Sequence, residues 1–316
     1  MIGLAERIKR GFKPRQVEEF IDYYYHRPLA GLLVQLLLPL PFTPNQITIA
    51  SGVVGLLAGL AIGHAGAGPD YWAPIGGGLL LLSILLDCAD GQLARVRGIA
   101  SPAGRILDGL VDFVAPTAVF IGQAFFMVSL GYSVWWVLLV GSLAGGSLLW
   151  HAGQFDSAKN RYLHNANPEF DLGGDALLTG DYVERLRVQY AQQGEVFNSL
   201  LMWGFNKWWL KAQAKGGSAD LGSAAPRAET EAERQLFRSI FQAAMRAWTW
   251  LGFGTHLFLL TVSAWAGLWG GLGVWVAWGV MLGPMNILCG VLLARRPGLD
   301  DRFASELAAM RAAEDA

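Results

Sequence analysis

Four aspartates carry the chemistry that can be read from this chain. Asp87-Cys88-Ala89-Asp90-Gly91-Gln92-Leu93-Ala94-Arg95 is followed, after eight residues, by Gly104-Arg105-Ile106-Leu107-Asp108-Gly109-Leu110-Val111-Asp112. On an α-helix Asp87, Asp90, Gly91 and Ala94 fall at i, i+3, i+4 and i+7, so two carboxylates and two small residues share one face. Gly104, Asp108 and Asp112 share a face in the same way at i, i+4 and i+8. Both stretches adjoin long apolar runs. An aspartate near the centre of a membrane span opposes insertion by ~2.5–3.5 kcal/mol, and four that repel one another by on the order of 10 kcal/mol. Something positive must therefore lie between them.

Oxygen donors with no His or Cys on the same faces specify a hard cation, Mg2+ or Mn2+, with calcium as a further option. Four carboxylates suffice for a two-metal site. Gly91, Ala94 and Gly104 leave room beside the ions for a diphosphate, while Arg95 and Arg105 stand where they can clamp phosphate oxygens. Ions that bridge phosphate oxygens and align an incoming hydroxyl are what in-line phosphoryl displacement needs.

These side chains need two adjacent helices. Gly98 can end the first, and Ser101 and Pro102 fit the N-cap and first position of the second. A connection this short makes the pair antiparallel. At the helical rise, Asp87 and Asp90 lie ~8–12 Å below Arg95, and Asp108 and Asp112 ~10–16 Å below Ser101, so all four can share one depth.

The rest of the chain supplies a membrane setting. Of its 316 residues 53% are hydrophobic, more apolar surface than a water-facing domain of this size has to bury. Apolar stretches long enough to cross a bilayer occur at about 46–66, 73–94, 103–130, 133–154, 247–268 and 272–294. A shorter run at 29–41 is interrupted by Pro39 and Pro41 and preceded by Tyr23, Tyr24, Tyr25, His26 and Arg27. It reads as a helix lying in the interface. The expected fold class is an all-α integral membrane protein with six transmembrane helices preceded by an N-terminal interfacial amphipathic helix. Lys and Arg occur in the N-terminal segment, between the second and third spans, between the fourth and fifth, and in the tail. The positive-inside rule makes those segments cytoplasmic, together with both termini and the mouth of the site. The first 27 residues are basic without an apolar core, so a cleaved signal peptide is not expected.

The expected organisation is 1–42 as cytoplasmic N-terminal segment and interfacial helix, 43–155 as spans one to four with the aspartates, 156–246 as a cytoplasmic insertion, 247–294 as the last two spans and 295–316 as a cytoplasmic tail. Within the insertion, Val196-Phe197-Asn198-Ser199-Leu200-Leu201-Met202-Trp203 to Trp209 suits a helix on the membrane surface, with Lys207 and Lys211 toward anionic head groups, or equally a helix packed on its own small domain. Residues 214–233 read as flexible linker.

The pattern D-x2-D-G-x2-A-R-x8-G-x3-D-x3-D, complete from Asp87 to Asp112, resembles the signature of the CDP-alcohol phosphatidyltransferases. Thr43-Pro44-Asn45-Gln46-Ile47-Thr48 resembles a segment common in that family. The resemblance covers about residues 20–155 and more loosely 247–294. It implies that Asp87, Asp90, Asp108 and Asp112 are ligands of two metals, with Asp112 also the base that takes the acceptor hydroxyl proton. It further implies that Gly91, Ala94 and Gly104 line the CDP site and that Arg95 supports that loop or contacts phosphate. The substrates would be a CDP-alcohol and an acceptor alcohol, with release of CMP, in phospholipid biosynthesis. Homodimerisation and a bacterial inner-membrane location are expected on the same ground. CDP-diacylglycerol with a polar acceptor is the preferred pair. A CDP-headgroup donor with a lipid or polyol acceptor is the alternative.

Other readings carry less. A net charge of −1 gives no basic excess for nucleic acid. Cys88 and Cys289 lie far apart in apolar runs, which argues against a disulfide and a thiolate metal site. An ion-coupled transporter would also place carboxylates in the membrane, but it has no need of Gly91, Ala94, Arg95 and Gly104 at these offsets. His151, His256 and Asn286 read as packing residues, and the Gly and Trp of the last two spans as close packing and interfacial anchors. Asn45 and Thr48 share a side of the first span, where a nucleotide contact and simple helix capping by Thr43 weigh equally.

Overall fold

The computed structural model describes residues 15–99, 101–167, 180–209 and 227–314. The described residues are helical, without strands, and six stretches among them are long and apolar enough to cross a membrane. They fall into two compact units. The first combines the chain up to Gly153 with Thr249–Cys289, and the second combines Gln154–Trp248 with the chain from Gly290.

The first unit begins with a π-helical turn, Asp22–His26, running into α1, Arg27–Leu37. The helix ends just ahead of Pro39 and Pro41, which disfavour helical geometry in the residues before them. Helix α2, Pro44–His64, starts with a capping box: Thr43 Oγ1 accepts from Gln46 N at 3.3 Å and Gln46 Oε1 from Thr43 N at 2.9 Å. Helix α3, Trp72–Arg97, ends on Gly98 at φ 67°, the left-handed cap that glycine makes cheap. Helix α4, Pro102–Val111, opens on Ser101, whose hydroxyl accepts from Gly104 N at 3.0 Å.

The third span departs from the expected continuous helix. Chain order breaks at Asp112 and Phe113 before α5, Val114–Ser129. The reason lies four residues on, where Pro116 has no N–H to give the Asp112 carbonyl and its ring crowds that oxygen. Helix α6, Val134–Ala166, runs well past the expected end of the fourth span. The fifth and sixth spans are also segmented. Helix α9, Glu231–Trp248, and a 3-10 turn precede α10, Phe253–Trp265, while α11, Leu272–Val280, passes through a π-helical turn around Pro284 into α12, Asn286–Glu314. Labels α7 and α8 belong to Gly180–Gln192 and Val196–Gly204, the latter continued by a π-helical turn, Phe205–Trp209.

Helix α2 is the centre of the first unit, packed on α3, α4 and α5, with α1 and α10 against α3. The approach of α2 to α5 depends on paired glycines: a Cβ at Gly122 would sit 2.1 Å from the Gly59 carbonyl oxygen, and one at Gly59 2.3 Å from that of Ala118. Inside, Gln123 donates to Ser263 at 2.7 Å and accepts from the Trp278 indole at 3.0 Å, so this buried amide is satisfied. Outside, Leu60, Phe125 and Trp135 are 69%, 68% and 78% exposed. Such an apolar exterior suits lipid and not water. Gly267 confirms close packing in the last spans, since a Cβ there would meet that of Ala73 at 2.7 Å.

In the second unit, the expected linker ends earlier than 233. Thr230 and Glu233 form a capping box that starts α9, with Glu233 N donating to Thr230 Oγ1 at 3.2 Å and Thr230 N to Glu233 Oε2 at 3.1 Å. Helices α7 and α8 form a hairpin that buries Val183 and Met202, while Val196, Phe197, Leu200 and Trp203 are exposed and Lys207 lies over Trp203. Lys211 and residues 214–226 of the expected linker lie outside the described residues.

Candidate metal centre

Helix α3 presents Asp87 and Asp90, three residues apart, toward α4, which presents Asp108. One carboxylate oxygen from each lies within 4.8 Å of the others. Asp90 is 4% exposed, and Asp87 and Asp108 are half-buried. The antiparallel pairing predicted from the short connection therefore gathers three of the four aspartates. Asp112 lies outside that group of three, at the break after α4, where its backbone N still donates to the Asp108 carbonyl at 2.9 Å. Its side chain comes within hydrogen-bonding reach of Asp87.

The donor set fits a hard divalent ion. It is all oxygen, it is compact enough for one cation to touch several carboxylates, and without positive charge its members repel. Among the described residues no other group of three or more His, Cys, Asp or Glu side chains converges in this way.

The first span contributes two of the residues read from sequence. The Thr48 hydroxyl donates to the Asp90 carboxylate and lies 3.1 Å from the Pro44 carbonyl. Asn45 faces Gly104, whose added Cβ would meet Asn45 Oδ1 at 3.0 Å. The capping expected of Thr43 is present, as the box with Gln46. Gly104 thus keeps a close approach open, and a Cβ at Gly91 would meet the Arg95 guanidinium at 3.3 Å. Arg95, in the last turn of α3, and Arg105, in the first turns of α4, are exposed, and Ala94 is half-buried one turn after Gly91.

Sequence reasoning missed what holds the first span in place. Arg97, counted only as a loop cation, donates to the carbonyls of Leu37, Leu38 and Leu40 at 3.3, 3.1 and 2.8 Å and also to that of Phe42. It thereby caps the end of α1 and fixes the turn leading to Asn45 and Thr48. Also missed was a buried polar chain in which His151 Nδ1 is 3.1 Å from His256 Nε2 and its Nε2 is 3.1 Å from Asn286 Oδ1. These residues are 105 and 135 positions apart, a separation at which no spacing rule applies.

A helical unit apolar on its outside, with a crowded all-oxygen carboxylate group between two antiparallel helices, defines a membrane-embedded protein whose carboxylates are compatible with a divalent cation. Part of the chain is similar to known proteins. Residues 42–156 match the family model described as CDP-alcohol phosphatidyltransferase. The chain is 36% identical over 112 residues to a phosphatidylinositol phosphate synthase of Mycobacteroides abscessus, covering 34% of this chain and 41% of the relative. It is 30% identical over 138 residues to a protein of the same name from Corynebacterium glutamicum, covering 44% and 49%. A bifunctional IPC transferase and DIPP synthase of Rubrobacter xylanophilus is 35% identical over 88 residues, covering 28% and 19%. The chain thus spans less than half the length of the curated relatives it matches.

Proposed function

We propose that this protein transfers a substituted phosphate from a CDP-alcohol to an acceptor alcohol and releases CMP, with Asp87, Asp90, Asp108 and Asp112 holding Mg2+ or Mn2+. The observation that carries this reading is the convergence of three carboxylates within 4.8 Å in a unit otherwise built for lipid. The ions would neutralise the diphosphate and polarise the attacking hydroxyl.

The chain's own residues do the rest. Thr48 fixes the Asp90 carboxylate by hydrogen bonding. Gly91, Ala94 and Gly104 keep the space beside the carboxylates narrow in side chains, so that a nucleotide diphosphate fits against the helices. Arg95 and Arg105 offer charge-assisted hydrogen bonds to its oxygens. Asn45, beside Gly104, offers an amide to the nucleotide. The acceptor hydroxyl oxygen bonds to the phosphorus that bears the donor's alcohol, the bond from that phosphorus to the oxygen shared with CMP breaks, and Asp112 takes the hydroxyl proton.

CDP-diacylglycerol is the proposed donor and a polar alcohol the acceptor, because the first two relatives are named for a phosphatidyl product. A second reading is a CDP-headgroup donor with a lipid or polyol acceptor. A homodimer with both termini and the mouth of the site in the cytoplasm is part of the same proposal. Purified protein with magnesium, offered CDP-diacylglycerol or CDP-inositol against a panel of alcohols, should release CMP with the first. Turnover with the second alone would reverse the direction of transfer, and CMP release with neither would remove the reading.

A further inference from the structure

The second unit contains a cleft. Its walls come from the distal half of α6, from α9 and from α12, three helices belonging to candidate membrane spans. The lining is divided by chemistry. Phe241, Met245 and Trp248 form an apolar wall, Arg161 and Arg296 are its cations, and no acidic residue lines it.

The charges around it do not cancel. Asp300 accepts from both terminal nitrogens of Arg161 and lies 3.9 Å from Arg296 Nε. Two guanidinium groups therefore meet one carboxylate, and one positive charge remains. Nearby, Arg311 and Glu233 form a neutral pair, while Glu231 is shared by Arg234 and Arg238. A second observation is independent of charge. Tyr162 lines the same cleft at 3% exposure, and its hydroxyl is buried without a hydrogen-bond partner. A buried phenol normally finds one, so an unmet donor marks where a ligand oxygen belongs.

A ligand that satisfies all of these bears one negative charge, acceptor oxygens and an apolar part. We propose that this cleft binds a glycerophospholipid by its phosphodiester, with phosphate oxygens on Arg296 and the Tyr162 hydroxyl and the glycerol and first methylenes against Phe241, Met245 and Trp248. A lipid bilayer is the proposed source of the ligand. This site is made of second-unit residues alone and stands whether or not the aspartates act as proposed.

The test uses the full chain in detergent with EDTA, so that phosphate cannot be held through a metal at the aspartates. Calorimetric titration with dihexanoyl phosphatidylglycerol should show binding, weakened about tenfold or more by Tyr162→Phe and by Arg296→Gln, as for charge-assisted hydrogen bonds. The lipid-free Tyr162→Phe protein should melt no lower than wild type, because the change removes only an unpartnered hydroxyl. Glycerol 3-phosphate binding as tightly as the lipid would overturn the lipid assignment in favour of a soluble phosphate ester. No lipid binding, or equal affinity in both variants, would overturn the site.

Discussion

The hydroxyl of Thr48 on α2 donates to the carboxylate of Asp90 on α3, joining residues 42 positions apart at the acidic cluster. A hydrogen bond from a neighbouring helix fixes which way a ligand carboxylate faces, and loss of such a support typically lowers metal affinity or activity by about 10–100-fold. Thr48→Val should therefore lower kcat/KM for CMP release within that range, and Thr48→Ser, which keeps the hydroxyl, should stay near wild type. A valine variant as active as wild type would remove Thr48 from the site.

Asp108 sits between stability and function. Its carboxylate is crowded by Asp87 and Asp90, a repulsion that bound cation or protonation relieves. Asp108→Asn should abolish turnover, yet raise the melting temperature measured in EDTA. Wild type should gain stability on addition of magnesium, by ~2.7 kcal/mol at one hundred times the dissociation constant, and the variant should gain much less. A variant that melts lower in EDTA and responds fully to magnesium would show that Asp108 is no ligand.

What the sequence made legible was local. Ser101, Pro102 and Gly98 act through hydrogen bonds and dihedral preferences within a few residues, so the helix pair carrying Asp87, Asp90 and Asp108 could be placed from spacing alone. The break at Asp112 was signalled by Pro116 but hidden by the apolar run around it, since hydrophobicity says nothing about a missing N–H. Contacts across the fold were not legible. Arg97 reaches carbonyls of Leu37, Leu38 and Leu40, and His151 meets His256, only because tertiary packing brings them together. The start of α9 at Glu231 was obscured by acidic, small-residue composition that linkers share, although Thr230 and Glu233 stand at capping-box spacing.

The N-terminal segment should make stability depend on pH. Glu19 is buried and accepts from Gly254 N at 3.2 Å, and from Thr255 N and Oγ1 at 2.8 and 3.0 Å, at the start of α10. Burial, and then the charge of Asp22, raise its pKa from 4.5 to about 8. The folded chain thus holds a proton that the unfolded chain releases between those values. Stability from this group is fully present below 4.5 and is lost as pH rises through about 8. Melting temperature should fall across that window, and Glu19→Gln, which cannot ionise, should flatten the slope. An equal slope in the variant would place the dependence on another group.

The approach of α2 to α5 sets a steric condition on the site, because α2 carries Thr48 and α5 follows directly from Asp112. A Cβ at Gly122 would lie 2.1 Å from the Gly59 carbonyl oxygen, a backbone atom that cannot swing aside as a side chain can. Gly122→Ala must push the helices apart, opening space that neighbouring groups fill poorly, with a loss of about 1–3 kcal/mol expected for overpacking. Gly146→Ala is the matched control, since a Cβ there meets nothing within 4 Å, and exchanging glycine for alanine inside a helix is otherwise favourable by about 0.5–1 kcal/mol. The two substitutions should therefore move the melting temperature in opposite directions. If Gly122→Ala also loses CMP release while retaining lipid titration at the second-unit cleft, the steric contact acts through the aspartate site and not through general unfolding. Equal melting temperatures for the two variants would mean that α2 and α5 can separate without loss.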